Sequence, residues 1–116
     1  MESVSSSHPR ARVQAGDVLR VDFGVPRRGT PAATRPAIVV TATTVLSFRL
    51  EAVNVVPCTT ARRGWETEVV TDWGTAQCHA ITTISVDDVV DETGSNVGPA
   101  VLAQIREVLA DVLDIG

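Results

Sequence analysis

Apolar and polar positions alternate over short stretches through the first two-thirds of the chain, and near residue 98 the period changes. Residues 17–23, DVLRVDF, carry Val18, Val21 and Phe23 in imperfect alternation, the pattern of a strand entering a barrel. Residues 37–42, AIVVTA, form an unbroken apolar run and predict a buried strand. Residues 43–49, TTVLSFR, fit either a connector or a single helical turn. LEAVNVVPC (50–58) predicts another strand, and ETEVVT (66–71) and AQCHAITTI (76–84) predict two more around a DWG turn. After Gly98-Pro99, apolar residues recur at 101, 102, 105, 108, 109, 112 and 113, a spacing of three and four. That spacing predicts an amphipathic helix of about four turns ending near Ile115, with Pro99 suited to its first turn.

Five short strands followed by one helix, with no strand–helix–strand crossover, predict a mostly antiparallel sheet. The expected fold is mainly β (α+β): a small SH3-like antiparallel barrel of about five strands with a C-terminal helix. Residues 1–13 lack periodicity and predict a flexible tail, leaving 14–116 as a single domain. Residues 24–36, GVPRRGTPAATRP, predict a loop of about a dozen residues, a length usually either functional or disordered.

Composition narrows the picture. The chain has 116 residues with two Trp, two Phe and no Tyr, so Val, Ile, Leu and Ala must build the core. Cys58 and Cys78 lie in apolar stretches without a Cys-x-x-Cys pair, and no metal-ligand spacing joins them to His79. No cofactor or metal is expected. The start, MESVSSSHPRARV, lacks the apolar segment of a signal peptide, and no run is long enough to span a membrane. A cytoplasmic protein with reduced thiols is expected. Charge is strongly polarised: residues 1–63 hold nine Arg against four acids, and residues 64–116 hold one Arg against ten. Every basic residue is Arg, whose planar donor fork suits phosphate, although GC-rich coding would produce the same bias. The polarity itself points to one basic face for a polyanion.

Two local patterns carry candidate chemistry. Arg35 is held by a following Pro36 at the close of the long loop. The run VPCTT (56–60), followed by Arg62-Arg63, gathers hydroxyls and guanidinium groups at the end of a strand. Together with GDVLRVDFG, RPAIVV and the closing helix, these stretches resemble the MazF/PemK toxins of type II toxin–antitoxin systems, over roughly Gly16 to Ile115. The resemblance implies a sequence-specific, metal-independent endoribonuclease acting on single-stranded RNA. It also implies a homodimer, and an antitoxin whose extended C-terminal segment competes for the RNA groove. It maps the catalytic pair onto Arg35 and Thr59. Arg27, Arg28, Thr30, Thr60, Arg62, Arg63 and His79 become expected RNA contacts. Two stretches depart from the family. The loop Gly29-Thr30-Pro31-Ala32-Ala33-Thr34 is one residue shorter and lacks a Glu, and His79-Ala80-Ile81-Thr82-Thr83 replaces a stretch that carries a Gln and a basic residue. A base preference different from the family's commonest is therefore expected.

The chemistry stands beside the resemblance. RNA cleaves without a metal when its 2′-OH attacks the adjacent phosphorus, leaving a 2′,3′-cyclic phosphate and a 5′-OH. An Arg can stabilise the charge that accumulates on the phosphate but is a poor base, and a Thr hydroxyl can hold a phosphate oxygen or orient the 2′-OH. His79 has no second histidine to pair with except His8 in the expected tail. Trp65 and Trp73 can stack a base, anchor a partner or simply pack. Two other function classes remain open. One is a same-fold, non-catalytic toxin that poisons a gyrase-type target by binding. The other is an SH3-like peptide module, which the absence of Tyr disfavours.

Overall fold

The computed structural model describes residues 13–24, 34–46 and 51–115. Seven strands, β1 (Asp17–Asp22), β2 (Thr34–Val39), β3 (Ala52–Thr59), β4 (Glu68–Thr71), β5 (Gly74–Gln77), β6 (Thr82–Ser85) and β7 (Val89–Asn96), form one antiparallel sheet. A one-turn helix, α1 (Thr43–Leu46), follows β2, and α2 (Gly98–Leu113) closes the chain. The order is β4-β5-β3-β2-β1-β7, with β6 on β3 beside β5. The mainly β architecture with a C-terminal helix is as expected. Two details differ: the strands number seven rather than about five, and the sheet curls without closing, since β4 and β7 end it without pairing to each other.

The extra strands have physical reasons. The expected strand over 76–84 is two strands, because Cys78–Ala80 form a turn of 3₁₀ helix between β5 and β6. Residues 89–96 pair as β7 despite the acidic and glycine-containing sequence VVDETGSN. Its register on β1 breaks twice, and the Thr93 hydroxyl donates to the Val18 carbonyl at 2.8 Å across the irregularity. A bulged strand shows no clean alternation in sequence. Strand β2 starts at Thr34, three residues ahead of the apolar run, because Arg35 and Pro36 pair with Val21 and Arg20 of β1.

The sheet is apolar on both faces. Leu19, Val21, Ala37, Val39, Val53, Val55 and Ile84 fill the inside of the curl with Val13 and Leu46, so Val13, assigned to the tail by sequence, is buried in the core. Val18, Ile38, Val56, Cys58, Val69, Ala76 and Cys78 form the other face, which Ile105 and Leu109 of α2 cover. Burying each of those two side chains contributes about 1.5–3 kcal/mol. Asp114, in the left-handed region at φ 56°, ends α2. Residues 1–12 of the expected tail lie outside the described residues. Among the described residues no helix is long and apolar enough to cross a membrane.

Candidate active site and nucleic-acid interface

Strand β3 is the spine of the site. One edge pairs with β2, through Ala37–Pro57, Ile38–Val56 and Val39–Val55. The other edge pairs first with β6 over Ala52–Val55 and then with β5 through Cys58–Ala76 and Thr59–Thr75. Pro57 falls in the gap where β3 changes partner, the one place in a central strand where a missing N–H costs no ladder bond.

The β2–β3 ladder ends at Ala37–Pro57, and its register carried two residues further aligns Arg35 with Thr59. Parity agrees. Arg35 shares a face with Ala37 and Val39, and Thr59 with Val53 and Val55, and all four of those apolar residues line the inside of the curl. Arg35 also sits opposite Val21, and Thr59 opposite Thr75. In those two registered pairs, Arg35–Val21 and Thr59–Thr75, the Cβ atoms lie about 4.5–5.5 Å apart. Both Arg35 and Thr59 are half-buried, at the rim of the inner core. Arg35 has no hydrogen bond or ion pair among the described residues.

Thr59 is held firmly. Its hydroxyl oxygen accepts the Ala61 N–H at 3.2 Å, which turns the chain away from the sheet and leaves the O–H proton free to donate. Gly74, at φ +110°, lies so close that a Cβ there would come 2.7 Å from the Thr59 carbonyl oxygen. Only glycine allows this approach. The neighbouring Thr75 is buried, at 4% exposed.

The other expected contacts divide. Thr60, Arg62 and Arg63 are exposed on the segment after β3. Glu68 ties that segment down: its carboxylate accepts the N–H groups of Arg63 at 3.2 Å and Gly64 at 3.0 Å. His79 is exposed on the 3₁₀ turn, with its Nδ1 2.9 Å from the Thr67 hydroxyl. It joins not Thr59 but Trp65, whose ring lies edge-on at 5.4 Å, while the Arg63 guanidinium sits over the same indole at 5.0 Å. The sequence does not distinguish Trp65 from Trp73, but Trp73 packs against the helix-side core and Trp65 does not. Arg27, Arg28 and Thr30 lie outside the described residues.

Cys58 and Cys78 are both buried and free, on the helix side. Desolvation pushes each thiol up to about 11, with a Thr71 hydrogen bond offsetting part of the effect at Cys58. Neutral buried thiols of this kind are inert packing groups. Among the described residues, no three His, Cys, Asp or Glu side chains converge as metal ligands.

Comparison with known proteins agrees with this architecture. A search of curated proteins finds no match. Among solved structures the chain is similar to an endoribonuclease from Mycobacterial species, at 25% identity and TM-score 0.73, over 89% of this chain and 92% of that one. It is similar to an endoribonuclease in complex with its cognate antitoxin, also from Mycobacterial species, at 26% identity and TM-score 0.74, over 90% and 97%. MazF from Deinococcus radiodurans shares the fold at 19% identity and TM-score 0.72, over 88% and 96%. The family model for PemK-like, MazF-like toxins of type II toxin–antitoxin systems matches residues 14–113. Strand order, closing helix and sequence match converge: the chain belongs to the PemK-like, MazF-like toxin family.

Proposed function

We propose that this toxin is an endoribonuclease that cuts single-stranded RNA at specific sequences without a metal ion. The reading is supported by the β2–β3 register, which ends at Ala37–Pro57 and, extended by two residues, brings Arg35 and Thr59 onto one face of the sheet. In the reaction the 2′-oxygen attacks phosphorus, the P–O5′ bond breaks, and the proton lost from the 2′-OH is balanced by one gained at the 5′-oxygen. Arg35 donates to the non-bridging oxygens as charge gathers there. It stays charged throughout, so its role is electrostatic and not that of a base. The Thr59 hydroxyl, its oxygen already accepting the Ala61 N–H, donates a hydrogen bond to a phosphate oxygen and holds the link in line for attack. Arg62 and Arg63, with Arg27, Arg28 and Thr30, hold the flanking phosphates, and binding weakens as salt rises.

The active toxin in this reading is a cytoplasmic homodimer of a single domain spanning residues 14–116. Its antitoxin lays an extended C-terminal segment, acidic and apolar, over the Arg-rich loops and so competes with RNA. The support is the family, the solved antitoxin complex of a similar endoribonuclease, and the concentration of Arg in the N-terminal half.

The test is cleavage of a long RNA in EDTA, with mapping of the cut ends. Discrete products with 2′,3′-cyclic phosphate and 5′-OH ends are expected, and Arg35→Ala and Thr59→Ala should abolish them. Growth arrest that persists in both variants without RNA cutting would overturn the nuclease reading in favour of poisoning by binding.

A further inference from the structure

The two tryptophans have different surroundings. Trp73 packs against the helix-side core, whereas Trp65 is 51% exposed. A large aromatic side chain left this open on a chain with four aromatic residues of the Phe and Trp types needs a reason. Its setting is rigid. Gly64 takes φ +74°, the Glu68 carboxylate accepts the Arg63 and Gly64 N–H groups, and the Trp65 carbonyl accepts the Glu68 N–H at 3.1 Å. The Cys78 N–H donates to the Thr67 carbonyl at 2.9 Å, anchoring the 3₁₀ turn that carries His79 against the same segment. The indole is therefore presented by a loop fixed at both ends. His79 buttresses it edge-on, and an Arg guanidinium rests over the ring.

We propose that Arg63, Trp65 and His79 form a nucleobase-stacking platform, a subsite for an unpaired base of the RNA held at Arg35 and Thr59. The proposal rests on the RNA reading of that site. Apart from its contact with the indole, the Arg63 side chain has no partner among the described residues. An exposed cation–π contact is weaker than an aromatic–base stack, so an incoming base displaces the guanidinium from the ring. The freed guanidinium then meets the phosphate beside that base. Trp65 lies six positions after Thr59, so the two are at most about 20 Å apart along the chain. The stacked base thus belongs to a nucleotide within a few positions of the cut. Stacking tolerates any base, but the imidazole edge of His79 beside it offers one donor or acceptor to read the base's rim. A polar group at the platform's edge is what turns a stacking site into a discriminating one.

The experiment uses the full chain with Trp73→Phe, so that Trp65 is the one remaining indole. The probe is a mixed-sequence single-stranded 2′-O-methyl RNA 12-mer, which lacks the attacking hydroxyl and cannot be cut. Binding is expected to quench Trp65 emission. Trp65→Ala is expected to weaken binding about 5- to 100-fold, and Trp65→Phe by less. The melting temperature should hardly move, since the ring is exposed. Arg63→Ala should weaken binding and reduce its salt dependence while leaving the quench in place. Three results would overturn the platform: binding without quench, unchanged affinity in Trp65→Ala, or a Trp65→Ala protein that binds RNA normally but loses its antitoxin. None of these touches the nuclease reading, which metal-free cleavage by the parent tests separately.

Discussion

The two faces of the β2–β3 pair put alternate residues of the same strands to different uses. Val56 and Cys58 face α2 and are sealed under Ile105 and Leu109. Val53 and Val55 face the inside of the curl, where the same parity leads on to Thr59, and from Ala37 back to Arg35. One face ends in a lid and the other in a rim of polar donors. A strand of period two lets one short sequence, VVPCT, feed core on both sides and end one of those sides in the candidate site residue Thr59. The contrast predicts that stability and activity separate cleanly by face.

The largest effects should show that separation. Arg35→Ala should lower the RNA cleavage rate by about 10²- to 10³-fold, the usual cost of losing one preorganised donor to a developing charge. Its melting temperature should stay close to the parent's, because Arg35 has no described partner to lose. Arg35→Lys should recover little, since an ammonium lacks the planar fork. Ile105→Ala should do the reverse. It opens a cavity beneath α2 at a residue of 0% exposure, costing about 2–5 kcal/mol of stability, and should leave cleavage near parental at temperatures where the protein stays folded. Denaturant unfolding and metal-free cleavage of the two variants are the paired measurements. If Arg35→Ala unfolds the protein, or if Ile105→Ala loses cleavage while folded, the faces are not independent.

Much of the sealed face was legible in sequence. The three-and-four spacing from Val101 to Leu113 marks α2, and the unbroken run AIVV marks a strand buried on both sides. The rim was legible only in part. Arg35-Pro36 and VPCTT stand out as residue types, and the resemblance pairs them, but their cross-strand alignment depends on a register that no local pattern states. Two elements were hidden for opposite reasons. β7 is acidic and bulged, so tertiary pairing with β1 overrides a sequence that prefers turns. The 3₁₀ turn at Cys78–Ala80 was hidden inside a run that reads as one apolar strand. Trp65 carried a signal as one of two tryptophans, but only burial separates it from Trp73.

A smaller effect probes where the faces meet. Gly74 faces the backbone of Thr59 at a positive φ, so Gly74→Ala adds a Cβ that would lie 2.7 Å from the Thr59 carbonyl oxygen. Backbone strain of this kind costs about 1–3 kcal/mol. The strand end should also shift, because a carbonyl cannot swing aside as a flexible side chain can. Unlike the other two variants, Gly74→Ala should therefore lose both stability and cleavage. The maximal rate should fall more than the affinity for uncut RNA, since Thr59 moves while the surrounding cations stay. A stability loss with parental cleavage would show that the exact seat of Thr59 does not matter to the reaction.

The smallest effect sharpens the picture of the sealed face from the solvent side. Burial pushes the thiols of Cys58 and Cys78 from 9.0 up to about 11. Below about pH 8 the thiols are protonated in both folded and unfolded chains and contribute no pH dependence. Between about pH 9 and 11 the unfolded chain loses these protons first, so rising pH favours unfolding, and the loss levels off above about 11. At pH 10 it should reach about 1.4 kcal/mol per thiol. The sequence makes this limb unusually readable: the chain has neither Lys nor Tyr, so no other side chain titrates in that window. Unfolding free energies at pH 8, 9 and 10 should fall along this curve in the parent, and about half as steeply in Cys58→Ala. Cleavage per folded molecule should not follow, because both thiols lie on the face away from Arg35 and Thr59. A flat stability from pH 8 to 10 would mean that water reaches the thiols, and that α2 does not seal its face of the sheet.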